Sequence, residues 1–87
     1  MYKKSMVEFD PAKDASNKAK HGISLARAAD MTVLAVIEDH RYYELRYRAY
    51  GLIDGIAHCL AFSVRDDNIR AISLRRAHSK EVKRYVP

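Results

Sequence analysis

From Glu44 to Arg75 the sequence is a run of three β-type segments separated by two turns, and that run constrains the fold more than any other feature. Glu44 to Leu52 alternates in polarity and closes at Asp54-Gly55, a dipeptide suited to the positive φ angles of a tight hairpin. Ile56 to Val64 follows, then Arg65-Asp66-Asp67-Asn68 as a second turn, then Ile69 to Arg75. Upstream, the β-branched and apolar Val33 to Ile37 adds another strand, ending at the acidic pair Glu38-Asp39. Such a meander needs helices over one face of its sheet and leaves the other face open.

The N-terminal third supplies those helices. Met6 to Phe9 reads as a short edge strand. Asp10 then caps a helix that has Pro11 at its first position, runs to Lys20 or His21, and stops at Gly22. Its apolar residues, Ala12, Ala15 and Ala19, permit close packing but bury little. Ser24 caps a second short helix through Ala28 and Ala29 towards Met31, and Ser79 caps a last one through Glu81, Val82 and Tyr85. The expected fold is α+β in the order β-α-α-β-β-β-β-α, with a mostly antiparallel sheet and the helices packed on one face. Residues 1–87 make one domain, and a chain this short gains appreciably from a bound partner.

Several function classes are poorly served by these residues. Cys59 is the single cysteine and lies in an apolar run, as an inert buried thiol does. His21, His40, His58 and His78 are scattered, without HExxH spacing or a pair of cysteine ligands, so no metal site is expected. Phosphate-loop, dinucleotide and nucleophile-elbow motifs are missing, and no cofactor is expected. No apolar stretch of ~18 residues is present, and Met1 to Met6 lacks the apolar core of a signal peptide, so the expected compartment is the cytoplasm.

The formal charge of +5 is unevenly placed. Residues 1–68 balance ten Lys/Arg against ten Asp/Glu; the rest carry Arg70, Arg75, Arg76, Lys80, Lys83 and Arg84 against Glu81 alone. A basic C-terminal end suits a polyanion such as RNA, DNA or an acidic protein.

Alternation puts Glu44, Arg46 and Arg48 on one strand face, opposite Leu45, Tyr47 and Ala49, and three charges in a row suggest a wet face. Arg75 shares a face with Ser73, whereas Arg76 points the other way. Glutamate, arginine, histidine and tyrosine together can cleave RNA without a metal. A base takes the 2′-hydroxyl proton, paired guanidinium donors hold the charge gathering on phosphate oxygens, and an acid protonates the leaving 5′-oxygen. Glu44 or a histidine can be the base, and a histidine or tyrosine the acid. Lys20 and His21 end a helix, where a cation is favoured by the dipole whether or not it takes part in chemistry. Tyr42, Tyr43, Tyr47 and Tyr50 surround the arginines and suit either base stacking or the core.

Phe9-Asp10-Pro11-Ala12-Lys13, Asn17, Lys20-His21-Gly22-Ile23-Ser24, Glu44-x-Arg46 ending at Gly51, and Ile69 to Ala77 resemble the BrnT toxin family in the same order over nearly the whole chain. The resemblance implies a RelE-like fold and an endoribonuclease that arrests growth. It also implies a BrnA-like, DNA-binding antitoxin as partner, so that DNA is met only through the antitoxin. Carried onto this chain, the candidate catalytic residues are Lys20, His21, Glu44, Arg46, Ser73 and Arg75, with Arg48, Arg65, Arg70 and Arg76 as RNA contacts. Two stretches depart from the family. Ser63-Val64-Arg65 stands where many relatives carry Thr-Glu-Arg, and Arg41-Tyr42-Tyr43 replaces an acidic stretch. Loss of an essential base at Val64 would leave an impaired enzyme or one that uses Glu44. The alternative is a weakly active or inactive relative that binds an antitoxin or RNA.

Overall fold

The computed structural model describes residues 7–87, so Met6 of the expected first strand, and the reading of Met1 to Met6, lie outside it. The elements are β1 (Val7–Glu8), α1 (Pro11–His21), a 3-10 helix (Leu25–Asp30), β2 (Thr32–Asp39), β3 (Arg46–Ile53), β4 (Ile56–Arg65), β5 (Asn68–Arg76) and α2 (Ser79–Tyr85). Among the described residues, no helix is long and apolar enough to cross a membrane. The five strands form one sheet in the order β1-β5-β4-β3-β2, antiparallel except for the β1–β5 pair.

Both hairpins close as the turn residues dictate. Asp54 and Gly55 have φ of 53° and 75°, Asp66 and Asp67 of 49° and 67°, the paired left-handed conformations that match strand twist. The α1 boundaries also follow the sequence. Asp10 Oδ1 accepts the Ala12 N–H at 2.8 Å, and Gly22, at φ 70°, donates its N–H to the Lys18 carbonyl. The second helix is 3-10 rather than α. Its buried residues Leu25 and Ala28, followed by Met31, recur every third position, which is the period of a 3-10 turn.

The main core lies between this segment and one face of the sheet, where Leu25, Ala28 and Met31 meet Ala49, Ile53, Leu60, Phe62, Ala71 and Leu74. The buried residue of α1 is not an alanine but Asn17. Its amide donates to the Ile23 and Leu74 carbonyls at 2.9 and 2.8 Å and accepts the Leu74 N–H at 3.0 Å. β1 pairs only with Ile69 and Arg70, so Asn17 takes the place of a strand along the uncovered edge of β5. That bond pair fixes where α1 sits along the sheet.

The structure departs from the expectation of helices on one face. α1 and the 3-10 helix cover one face, but α2 crosses the other, where Tyr85 stacks on the fully buried Tyr50 at 4.4 Å. His78, not Ser79, is the N-cap of α2, and Glu81 Oε1 accepts the His78 N–H at 2.8 Å. No residue of α2 is fully buried; the half-buried Val82 and Tyr85 face the sheet, and Glu81 ties the helix to Arg75 and Tyr50.

Candidate functional site

On the α2 side of the sheet, β3, β4 and β5 form the floor of a cleft of about 340 Å³. Register decides what reaches it. Arg48 pairs with Ala61, Tyr50 with Cys59, Cys59 with Arg75 and Ala61 with Ser73, so these side chains share a face. Between Ala61 and Phe62 the β4–β5 pairing skips Ile72, a bulge that brings Ser73 and Arg75 onto the cleft side while Ala71 stays in the core. Bulges of this kind commonly re-aim side chains beside functional sites.

Four arginines converge on the cleft: Arg41, Arg46, Arg48 and Arg75. Arg75 forms a fork onto Glu81, with nitrogen–oxygen distances of 2.8 and 3.0 Å, and Glu81 also accepts the Tyr50 hydroxyl at 2.8 Å. Arg41 holds the buried Asp39 at 2.6 Å. Arg46 reaches Glu44 at 3.2 Å and lies over the Tyr42 ring, 4.0 Å from its centroid. Arg48 donates to the Tyr50 hydroxyl at 2.9 Å and stands 3.6 Å from Asp39 and 3.7 Å from Glu81. Its Nε is buried without a hydrogen-bond partner, the one such side-chain atom among the described residues. That nitrogen lies 3.6 Å from Asp39 Oδ2, within ion-pair range of the carboxylate.

Neighbouring guanidinium groups keep the Asp39 and Glu81 carboxylates ionised. The Arg41 guanidinium holds the Asp39 carboxyl down to about 2 despite burial. Arg75 does the same for Glu81, also to about 2, while the carboxylate in turn raises Arg75. Burial pushes the Tyr50 phenol up, and Glu81 adds to the shift, so the hydroxyl remains a donor. Burial likewise raises the Cys59 thiol, in keeping with an inert cysteine.

Glu81 therefore makes a pH-dependent contribution to stability. Its pKa is depressed in the folded chain, so the contribution is complete above the ordinary value of 4.5 and drains away as pH falls towards 2. The expected result for Glu81→Gln is a lower urea midpoint at pH 7, with the gap to wild type narrowing steadily between pH 4.5 and 2. A gap of constant size across that window would show that the carboxylate charge is not what holds α2.

The expected site residues divide into groups. Arg46, Ser73 and Arg75 line the arginine cleft, together with Arg48; Glu44 precedes β3 and touches the cleft through Arg46. Lys20 and His21 line a second cleft of about 280 Å³ along α1, which shares Ile72 and Ser73 with the first. Arg76 faces the other way, into a pocket with His21, Arg27 and His58, as alternation from Arg75 requires. Arg65 and Arg70 lie towards the β4–β5 turn and line neither cleft. His58 is a buried structural histidine whose Nδ1 meets the Ile56 carbonyl at 2.7 Å. The tyrosines split: Tyr47 stacks on Phe62 beside the core, Tyr50 is buried under α2, and Tyr42 lines the cleft.

The charged strand face is less wet than its sequence suggests. Arg46 and Arg48 side chains are only 22% and 27% exposed, because α2 and the 41–44 segment cover them. Sequence reasoning overlooked Asp39 and Glu81, the two carboxylates that organise the arginines. Asp39 faces Arg46 across the β2–β3 pair, a juxtaposition legible only once the register is known. Val64 packs against the core on the opposite face, so a glutamate at this position of the fold would not stand in the arginine cleft. Among the described residues, no three His, Cys, Asp or Glu side chains cluster as metal ligands would.

Comparison with known proteins agrees with this architecture. Residues 9–81 match the family model described as the ribonuclease toxin BrnT of type II toxin–antitoxin systems. No curated protein sequence matches. Among solved structures, the chain is similar to the ribonuclease toxin BrnT of Brucella abortus, with a TM-score of 0.64 and 26% identity over 84% of this chain and 96% of that one. The chain belongs to the BrnT family of ribonuclease toxins of type II toxin–antitoxin systems.

Proposed function

We propose that this chain is a metal-independent endoribonuclease that cleaves RNA in the arginine cleft, arrests growth in the cytoplasm, and is silenced by a BrnA-like antitoxin that alone contacts DNA. The observation that carries the reading is the convergence of four arginines on one concave face. Attack by a 2′-hydroxyl makes a five-coordinate phosphorus with extra charge on its non-bridging oxygens. Donors fixed in advance around that charge lower the barrier without having to reorganise.

In this reading Arg46 and Arg48 hold the phosphate oxygens, while Arg75, tied to Glu81, gives the floor its positive potential. Glu44, at the rim beside Arg46, takes the 2′-hydroxyl proton. Tyr42, on the cleft wall beneath Arg46, returns a proton to the leaving 5′-oxygen. The products are a 2′,3′-cyclic phosphate and a 5′-hydroxyl.

A second reading has one observation in its favour. Arg41, Arg46 and Arg75 already hold Asp39, Glu44 and Glu81, so a phosphate meets a partly neutralised cleft. A weakly active or inactive relative, binding an antitoxin or RNA, would look the same. The deciding experiment is cleavage of a free single-stranded RNA in excess EDTA, with analysis of the product ends and an Arg46→Ala control. Cyclic-phosphate products from wild type, reduced on the order of tenfold or more by Arg46→Ala, are the expected result. A folded wild type that leaves free RNA intact would favour the binding module.

A further inference from the structure

We infer that the apolar groove on the sheet face opposite the arginines is where the antitoxin docks, through one amphipathic helix with an apolar side in the groove and a basic flank. The inference rests on the antitoxin partner of the proposed function and not on RNA cleavage.

The groove exists because the helical layer over that face is incomplete. α1 and the 3-10 helix lie mainly over β5, and beyond them a cavity of about 420 Å³ remains. Its lining includes Val7, Ile69, Leu60, Ala49 and Val36, one residue from each strand in the order β1-β5-β4-β3-β2, so it runs across the whole sheet. Four strand spacings of about 4.8 Å give it a length of ~19 Å. That is the length of about 13 residues of α-helix, enough for apolar anchors at i, i+4 and i+7. At its far end Val33 and Val36, on the edge strand, are 48% and 51% exposed, an apolar pair that a partner would take out of water.

The chemistry of the lining and its border selects the occupant. Thr32 is the only polar residue of the lining, so nothing there orients a nucleotide or a small polar ligand. One long side of the groove is walled by the 3-10 helix. Away from that helix, register leads to exposed carboxylates: Glu38, two residues beyond Val36 on the same strand face, and Asp66-Asp67 in the turn before Ile69. Arg65 and Arg70 do not balance them, because they alternate with Val64 and Ile69 and point to the other face of the sheet. Arg27, on the 3-10 helix, is held by Asp30 and Asp54, each at 2.8 Å. The two faces of the sheet therefore differ in sign. RNA is drawn to the arginines and repelled from this side, whereas a helix with lysines or arginines along one flank is attracted to it. The antitoxin is the protein partner that membership of the family supplies.

The test is calorimetric titration of full-length antitoxin into the folded chain and its variants. Val36→Lys brings a charge into the groove from an exposed position and should weaken binding about tenfold or more. A Val33→Thr/Val36→Thr double variant keeps both residues β-branched, which guards against a folding fault, and should weaken binding several-fold. Asp66→Asn/Asp67→Asn preserves the left-handed turn; its loss of a few-fold at about 0.05 M salt should vanish at about 0.5 M. None of these residues lines the arginine cleft, so each variant should cleave RNA as wild type does while resisting the antitoxin. Full affinity in both valine variants would overturn the proposal, and a loss confined to Arg46→Ala would move the antitoxin to the cleft. Tighter binding by the asparagine variant would mean an acidic segment and would overturn the basic helix. A free wild type that dimerises, and is made monomeric by Val36→Lys, would give the groove to a second copy. A wild type that fails the EDTA assay, with antitoxin affinity still lost in Val36→Lys, would sink the ribonuclease reading and leave the groove standing.

Discussion

Gly51→Ala should cost more than about 3 kcal/mol, a large part of the stability of a domain this small. Gly51 sits in the middle of the sheet, where any residue has ordinary strand dihedrals, so the requirement is not conformational. It is spatial: a β-carbon there would lie 2.2 Å from the Thr32 carbonyl oxygen and 2.9 Å from Met31 Cγ. The chain leaving the 3-10 helix comes down directly onto Gly51 before turning into β2, and both offending neighbours are anchored. Met31 is fully buried and Thr32 is paired with Leu52. Relief would require β2 to lift from β3, unseating Met31 from the core. Gly55→Ala is the matched control. Nothing lies within 4 Å of its added methyl, so only the left-handed φ of 75° is penalised, by about 1–2 kcal/mol. With a urea m-value of about 1 kcal/mol/M, Gly51→Ala should lower the midpoint by about 3 M or leave the chain unfolded, and Gly55→Ala by about 1–2 M. Equal midpoints for the two variants would mean that β2 can shift aside, and would remove Gly51 from the determinants of the fold.

How far the sequence could be read is explained by the range of the interactions involved. Local chemistry was legible: Asp10, Pro11 and Gly22 bound α1, Ser24 caps the next helix, and the two aspartate-bearing turns close the hairpins. The period-2 alternation around Arg46, and the shared face of Ser73 and Arg75 opposite Arg76, match the observed register, whereas the bulge at Ile72 that sets which side they take has no signal in counting. What alternation cannot supply is a partner distant in sequence. Tyr50 and Glu81 are thirty-one residues apart and Asn17 and Leu74 fifty-seven, and neither pairing has a periodic signature. The side of the sheet taken by α2 was illegible for a related reason: the half-buried Val82 and Tyr85 mark an inward side of the helix but not which face of the sheet receives it. Charge counting failed differently. Residues 1–68 sum to zero, which concealed Lys13 and Lys20 on α1, paired with no carboxylate among the described residues, because the balancing carboxylates are spent on other partners. The family resemblance supplied Lys20 and His21, but only the shared Ile72–Ser73 wall relates them to the arginines.

Arg48→Ala should reduce RNA cleavage by about 10²–10³-fold with the fold intact, the largest functional effect expected of any single change in the cleft. Arg75 is the less informative position, because its removal strands a Glu81 carboxylate that is only 14% exposed, and lost activity could then reflect lost structure. Arg48 is free of that difficulty. Asp39 keeps Arg41 at 2.6 Å and Glu81 keeps Arg75 at 2.8 Å when Arg48 is gone, so no buried carboxylate is left alone. Its guanidinium lines the cleft and is positioned there by the Tyr50 hydroxyl at 2.9 Å. Arg48→Lys separates charge from geometry: the ammonium preserves the field but has no planar fork, so a loss of about 10–100-fold should remain. Circular dichroism and urea midpoints near those of wild type, together with these two losses in initial cleavage rate, would assign the Arg48 guanidinium to the transition state. Full activity in folded Arg48→Ala would instead move phosphate binding to Arg46 and the rim of the cleft.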